Sequence, residues 1–93
     1  MTLNQIVKVP DTKIVDVRTE QEYATGHLQN AINIPLDTIQ ANIDRIKNFN
    51  APAIVFYCRS GNRSGQVVRY LRQLGLQNIY NGGGIEDMNY LIN

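Results

Sequence analysis

One run of five residues constrains the fold more than any other part of the chain: residues 53–57 (AIVFY), which follow Pro52. Every side chain in this run is apolar or aromatic, so a strand formed here needs cover on both of its faces. Strands of this kind are typical of the centre of a parallel sheet that has helices packed on either side. The run therefore predicts a central strand of an α/β protein.

Short apolar runs and helical periods alternate along the rest of the chain. Residues 13–17, 31–34 and 78–80 are typical of strands, and residues 19–22 fit a capping box that starts a short helix. Strands that alternate with helices predict right-handed crossovers. We therefore expect an α/β fold with a central, mostly parallel sheet of four to five strands and helices on both faces. A chain of 93 residues suits one domain, which we place at residues 1–93.

Three further segments complete the predicted order of elements. Apolar residues recur at helical spacing over residues 36–46, with Asp37 as a candidate N-cap. A second amphipathic helix is predicted over about residues 64–75, with a glycine at its end. Residues 82–84 are all glycine, which predicts a flexible turn, and residues 85–92 are predicted to form a short terminal helix.

Composition limits the compartment and the kinds of site that we expect. No apolar run approaches the roughly 20 residues of a membrane-spanning helix, and the first residues lack the basic start and apolar stretch of a secretory signal. We therefore expect a soluble protein in the cytoplasm, or in the periplasm if a signal peptide has been removed. We also expect a monomer. One cysteine cannot form an internal disulfide, and with one histidine it cannot complete a zinc site of four ligands. No metal and no cofactor are expected.

Charge is distributed unevenly, although the net charge is only +1. Residues 45–85 hold six basic residues and no acid, whereas the rest of the chain holds three basic residues and all eight acids. This asymmetry favours a positive surface that binds a small anion. Nucleic acid is a weaker interpretation, because no run of Lys and Arg interleaves with aromatic residues there. A solvated helix face accounts equally well for Arg69 and Arg72.

Cys58 is placed between the central strand and the next helix. Ligands of parallel sheets bind outside the carboxyl ends of the strands, which is where this thiol lies. Residues 58–64 (CRSGNRS) form a tight polar turn whose backbone N–H groups can point inward as an anion nest. Gly61 and Asn62 tolerate the dihedrals that a nest needs. The amides, the helix dipole and two arginines favour a nucleophilic thiolate over a buried, inert thiol.

Three sets of motifs, in order, make the chain resemble the rhodanese family over nearly its whole length. The first set runs from DVR at 16–18 through GHL at 26–28 to AINIP at 31–35, the second is the loop at 58–64, and the third is NGG at 81–83. The short N-terminus and the residues SGQ at 64–66 are especially similar to the small phage-shock-protein-E type of thiosulfate sulfurtransferase.

The resemblance implies covalent catalysis in two steps. The Cys58 thiolate attacks the outer sulfur of thiosulfate, sulfite leaves, and the persulfide passes its sulfur to cyanide or a thiol. The residues that the resemblance assigns to the substrate are Arg59, Ser60, Gly61, Asn62, Arg63 and Ser64. Backbone amides hold the sulfur, and the Arg59 side chain holds the sulfite end. Some thiosulfate-preferring members have a basic residue where Ser60 stands here, so the donor stays open.

Residues outside the loop are assigned supporting roles: Asp16, Arg18, Gly82 and Gly83. Asp16 either bonds to Ser64 and the loop amides, and so orients the nest, or pairs only with Arg18. The two glycines let the backbone approach the pocket closely. We expect Arg63 to support the loop from outside, and His27 to make a structural hydrogen bond rather than act as a general base.

Several functions other than an enzyme acting on thiosulfate stay open at this point. A persulfide carrier that serves a sulfur-relay partner protein would use the same loop, whereas a non-catalytic binding module would use only the fold. Phosphatases and arsenate reductases of related fold have five residues between a cysteine and an arginine, but four separate Cys58 from Arg63. The shorter loop favours a sulfur atom over a tetrahedral phosphate.

Overall fold

The computed structural model describes residues 1–92. The helices and strands of that part of the chain are α1 (Leu3–Ile6), β1 (Lys13–Asp16), α2 (Glu20–Ala24), β2 (Ile32–Asn33), α3 (Ile43–Lys47), β3 (Ile54–Cys58), α4 (Asn62–Gln73), β4 (Ile79–Gly84) and α5 (Ile85–Ile92). Two turns of 3-10 helix, Leu36–Thr38 and Gln40–Asn42, lie between β2 and α3. The strands form a parallel sheet in the order β2-β1-β3-β4, which confirms the predicted α/β fold.

The sheet is organised around β3, which is buried along its whole length and hydrogen-bonded on both edges. Alternate side chains of β3 enter two separate cores. Phe56 and Cys58 pack into one core with side chains of α3 and α4. Val55 packs into the other with Ile6 of α1 and Met88 of α5. Helices therefore cover both faces of the sheet, as the uniformly apolar run predicts.

The segment 36–46 is not one helix, contrary to the expectation from its apolar spacing. It forms the two 3-10 turns followed by α3, and the first turn is preceded by Pro35 and has no side-chain cap, so Asp37 is not an N-cap. Asn42 interrupts the helical path with φ −113° and ψ 14°. Its side-chain amide donates to the Thr38 carbonyl at 2.8 Å, and such local hydrogen bonds compete with helix formation.

The triple glycine is part of a strand rather than the flexible turn expected from its composition. Residues 82–84 belong to β4. Gly83 and Gly84 pair with Tyr57 and Cys58 of β3, after a register shift that skips Gly82. An added Cβ on Gly82 would overlap the Sδ atom of Met88. The strand therefore lacks side chains where α5 packs directly on it, and α5 itself has the predicted bounds.

Two short helices begin at capping boxes. In α2, Thr19 accepts a hydrogen bond from the Glu22 N–H while the Glu22 side chain accepts from the Thr19 N–H, as predicted. Helix α1, which we did not predict, has the same arrangement between Thr2 and Gln5. None of the helices described within residues 1–92 is long and apolar enough to cross a membrane.

Candidate active site

Cys58, at the carboxyl end of β3, is enclosed by a turn that leads directly into α4. The helix begins at Asn62, slightly earlier than expected, and Gly61 is its N-cap with φ 100°. This left-handed conformation favours glycine, and an added Cβ would also lie 3.2 Å from the Cα of Gly83. The Gly61 N–H donates to Cys58 Sγ at 2.9 Å. The turn and the helix start thus surround one sulfur atom.

The surroundings of the Cys58 thiol act on its pKa in opposite directions. Burial raises the pKa, because a thiolate is poorly stabilised away from water. Hydrogen bonds from the Ser64 hydroxyl and from the N–H groups of Ser64, Ser60 and Gly61 lower it, and the pKa lies below its ordinary value. The site therefore favours the thiolate, which is the nucleophilic form of cysteine.

The rim of the Cys58 loop is exposed, although the sulfur atom is not. Arg59, Ser60 and Asn62 are exposed, and a cleft of about 440 Å³ opens beside the first two. The residues that line this cleft are Arg18, Glu22, Thr25, Arg59, Ser60, Ile85 and Glu86. The cleft combines two arginines with two glutamates, so it is less positive than the charge of residues 45–85 suggests.

Arg63 is held by an ion pair outside the sulfur cradle. Its Nη1 and Nη2 atoms donate to Glu22 Oε1 and Oε2 at 2.7 and 3.0 Å, which joins α4 to α2. These hydrogen bonds are the main cause that lowers the pKa of Glu22 to about 2. The guanidinium group thus lies where it supports the loop from outside, as we expected for Arg63.

We expect Glu22→Gln to destabilise the protein near neutral pH and to have less effect in acid. The folded-state pKa is depressed, so the contribution of the ion pair is complete above about pH 4.5 and is lost as the pH falls toward 2. Both side chains are partly exposed, so the loss near neutral pH should be about 0.5–1 kcal/mol. Glutamine retains the capping hydrogen bond.

Thermal unfolding of Glu22→Gln and wild type between pH 2 and pH 7 measures this effect. The difference in Tm should be a few degrees near neutral pH and should close below pH 4.5. Glu20→Gln, at the exposed first position of the same helix, is the control for loss of a charge without an ion pair. A difference in Tm that stays constant over the whole range would contradict the prediction.

Asp16 and Arg18 belong to a buried network next to β3. Arg18 Nε and Nη2 donate to the Asp16 carboxylate, with the shortest distance 2.7 Å. The Tyr57 hydroxyl donates to Asp16 Oδ2 at 2.7 Å and accepts from the Leu28 N–H at 3.1 Å. Asp16 was expected either to orient the Cys58 loop or to pair with Arg18, and the structure shows the pairing with Arg18. Within residues 1–92 its carboxylate makes no hydrogen bond to Ser64 or to the loop amides of residues 59–63.

The three glycines of β4 approach the loop in different ways. Gly82 faces the core under α5, whereas Gly83 has φ 87° and lies against Gly61. Gly84 comes closest to the loop, since an added Cβ would lie 2.5 Å from the Arg59 carbonyl oxygen. We did not predict a role for Gly84, although a third consecutive glycine was a signal of close backbone approach.

Asn81 is a second residue that the sequence interpretation left without a role. Its side-chain amide donates to the Gly61 carbonyl at 3.2 Å, and its Oδ1 atom accepts from the Ser64 hydroxyl at 2.7 Å. The side chain therefore connects β4 to the Cys58 loop and to the first turn of α4. The only signal in the sequence was its position directly before the glycines.

His27 and Tyr90 lie away from the loop, and neither takes part in the sulfur site. His27 stacks on Tyr23 with ring centroids 3.6 Å apart, and its Nδ1 lies 2.9 Å from the Tyr23 carbonyl oxygen, which fits the expected structural role. Tyr90 is 87% exposed, although aromatic side chains usually bury much of their surface. Helix α5 directs Met88 into the core instead.

Comparisons with known proteins agree on the type of domain. The family model described as "Rhodanese-like domain" matches residues 2–89. A solved structure of a rhodanese with anions from E. coli is 33% identical and superimposes with a TM-score of 0.74, covering 82% of this chain and 89% of that one. A human single-domain sulfurtransferase has the same fold, with a TM-score of 0.73 at 23% identity over 95% of this chain and 89% of that one.

Curated relatives are longer proteins. A tRNA uridine(34) hydroxylase from Yersinia pestis is 37% identical over 90 residues, a match that covers 90% of this chain and 25% of the relative. A protein of the same name from Hamiltonella defensa matches to the same extent. The chain thus spans about a quarter of the length of the curated relatives it matches.

Proposed function

The chain belongs to the rhodanese-like domain family, and we propose that it is a sulfurtransferase that carries sulfane sulfur as a persulfide on Cys58. The observation that carries this proposal is the position of the Sγ atom, which accepts the Gly61 N–H at 2.9 Å inside the turn between β3 and α4. A terminal persulfide anion formed there would be stabilised by the loop amides and by the positive end of α4.

The proposed transfer has two steps. The Cys58 thiolate attacks the sulfane sulfur of the donor, and a new S–S bond forms as the bond to that sulfur within the donor breaks. The rest of the donor leaves with the electron pair of the broken bond, as sulfite when the donor is thiosulfate. Cyanide or an acceptor thiolate then attacks the terminal sulfur, and the Cys58 thiolate departs. The lowered pKa of Cys58 favours the thiolate that the first step requires.

The donor enters, in this proposal, through the cleft that Arg59 and Ser60 line. Arg59 supplies a positive charge for the anionic end of the donor, while Ser60 supplies a hydroxyl and no charge. Thiosulfate is therefore proposed as one donor of a class of small anions that carry sulfane sulfur, and an organic persulfide is a second.

Measurement of the intact mass tests the proposal. Incubation with thiosulfate or with an organic persulfide should add one sulfur atom, and cyanide should then release thiocyanate and restore the original mass. Cys58→Ser should abolish both results. His27→Gln, which removes the one imidazole of the chain, should retain both. Failure of both donors to load wild-type Cys58 would refute the proposed function.

A persulfide carrier that serves a partner protein is the second candidate. Exposure of Arg59, Ser60 and Asn62 around a buried thiol favours it, because these side chains offer a polar surface for docking. Loading by a cysteine desulfurase that is much faster than loading by free thiosulfate would support the carrier. Equal loading with and without the desulfurase would support an enzyme that acts on small donors.

The activity for which the longer relatives are named, hydroxylation of a tRNA uridine, belongs to proteins of which this chain covers 25%. We propose for this chain only the chemistry that the Cys58 loop supports. A phosphatase or arsenate reductase stays the less favoured alternative because of the short loop. Turnover of an aryl phosphate that Cys58→Ser abolishes would establish that alternative.

A further inference from the structure

The Ser64 hydroxyl has one proton and three acceptors within reach. Its Oγ atom lies 2.7 Å from Asn81 Oδ1, 3.2 Å from the Gly61 carbonyl oxygen and 3.4 Å from Cys58 Sγ. A hydroxyl donates one hydrogen bond at a time. The shortest distance shows that Asn81 is the geometrically favoured acceptor, so Cys58 and Asn81 compete for the same proton.

Asn81 is itself fixed in place by the active-site loop and by its own strand. Its Nδ2 atom donates to the Gly61 carbonyl at 3.2 Å, and its Oδ1 atom also accepts the Gly83 N–H at 2.9 Å. The two hydrogen bonds leave Oδ1 directed at Ser64 Oγ. Since Oδ1 keeps the Gly83 N–H in any case, it is not left unsatisfied when the Ser64 hydroxyl turns away.

We propose that Asn81 is a positioning residue that holds the Ser64 hydroxyl beside Cys58. While Cys58 is a neutral thiol, Asn81 accepts the hydrogen bond of that hydroxyl. When the sulfur becomes an anion, the hydroxyl turns and donates to it, because hydrogen bonds to ionised acceptors are about twice as strong as neutral ones. Only the hydrogen-bond acceptor changes in this step, and the O–H bond of Ser64 stays intact. The inference rests on the proposed function in one respect only, namely that the Ser64 hydroxyl would donate to the persulfide anion as it does to the thiolate.

A definite sign follows for the pKa of Cys58. Asn81→Ala removes an acceptor that the hydroxyl uses only in the thiol form, so the thiol is destabilised relative to the thiolate and the pKa should fall. Loss of the hydrogen bond to Gly61 also loosens the loop, and this second effect does not depend on Ser64. A double-mutant cycle with Ser64→Ala separates the two effects.

The experiment is the rate of Cys58 alkylation by iodoacetamide as a function of pH in wild type, Asn81→Ala, Ser64→Ala and the double variant. Ser64→Ala alone should raise the pKa, since the thiolate loses a donor. The change in pKa that Asn81→Ala causes should be about half a unit more negative when Ser64 is present than when Ser64→Ala has already been introduced. Equal changes in the two backgrounds would overturn the proposal.

Asn81→Asp provides a variant of nearly unchanged shape, in case Asn81→Ala does not fold. A carboxylate competes more strongly for the Ser64 proton and adds negative charge, so the Cys58 pKa should rise, and rise less when combined with Ser64→Ala. An equal rise with and without Ser64→Ala would mean that charge alone acts and would also overturn the proposal. Every charged residue of the wild type is kept in each variant, including those on the elements around Cys58: Lys13, Asp16, Arg18, Glu22, Arg59, Arg63, Arg69, Arg72, Glu86 and Asp87.

Alkylation does not require sulfur transfer, so this result is independent of the proposed function. A coupled pKa in a protein that no sulfur donor loads would leave the role of Asn81 standing and refute the sulfurtransferase. Loading of Cys58 without any coupling would do the reverse.

Discussion

Asp16→Ala is expected to destabilise the fold by about 3–5 kcal/mol, the cost of removing one partner of a buried ion pair. Asp16 is fully buried and the Arg18 side chain is 8% exposed. Without the carboxylate, the guanidinium keeps, among residues 1–92, only the Gly26 carbonyl oxygen as a hydrogen-bond acceptor, at 2.7 Å. A domain with total stability of about 5–15 kcal/mol would lose a large part of it.

Tyr57 adds to this cost, because its hydroxyl donates to the same carboxylate. Asp16 holds the pKa of Tyr57 above its ordinary value together with burial, which is the larger cause. In Asp16→Ala the buried hydroxyl still accepts the Leu28 N–H but has lost its acceptor. The network therefore connects β1, β3 and the segment before β2, and loss of the Asp16 carboxylate weakens the contacts of all three.

Urea or thermal unfolding measures the effect, and a drop of more than about 12 °C in Tm corresponds to the lower end of the range for a domain of this size. Asp37→Ala, at an exposed position, is the matched control and should stay within about 0.5 kcal/mol of wild type. The double variant Asp16→Ala/Arg18→Met should recover part of the loss, since it removes the uncompensated charge. A near-neutral Asp16→Ala would contradict the prediction.

The parts of the fold that could be predicted from the sequence are those fixed by neighbouring residues. The uniformly apolar run 53–57 indicates a strand that is covered on both faces, and β3 is that strand. The capping box at Thr19 and the bounds of α5 also depend only on residues within a few positions of each other. Local hydrogen bonds and side-chain periodicity can be recognised in the sequence, so such elements can be predicted without knowledge of the rest of the fold.

Other parts depend on residues that are distant in the sequence, and there the prediction was wrong. Composition predicts a turn at residues 82–84, but pairing with β3 makes them part of a strand. A side chain on Gly82 would meet Met88, one on Gly83 would meet Asp87, and one on Gly84 would meet the Arg59 carbonyl. The segment 36–46 is a local exception: its spacing is helical, but the Asn42 side chain donates to the Thr38 carbonyl four residues earlier, a hydrogen bond that hydrophobic periodicity does not reveal.

The candidate site divides in the same way. The turn around Cys58 could be predicted because the strand, Gly61 and the helix start are consecutive. The partners that hold the turn could not, since Glu22 is 41 residues from Arg63 and Asn81 is 17 residues from Ser64. These contacts arise only when parallel strands bring the segments to the same edge of the sheet.

Gly84→Ala is expected to reduce the rate of sulfur transfer by roughly 100-fold while the protein still folds. The added Cβ would lie 2.5 Å from the Arg59 carbonyl oxygen and 3.2 Å from its carbonyl carbon. Both are backbone atoms, so no side chain can turn away, and the Cys58 loop itself must shift. A displacement approaching 1 Å in a reacting group is enough for a loss of about 10²-fold.

The measurement is kcat/KM for thiocyanate formation, normalised to the fraction of folded protein. Gly75→Ala is the control for general strain: Gly75 has φ 96° with nothing within 4 Å of an added Cβ, and it follows the far end of α4. That variant should lose stability, because alanine disfavours positive φ, yet retain the activity of wild type per folded molecule. Full activity in Gly84→Ala would mean that the loop moves without cost, and the close fit of β4 against Arg59 would then have no part in positioning Cys58.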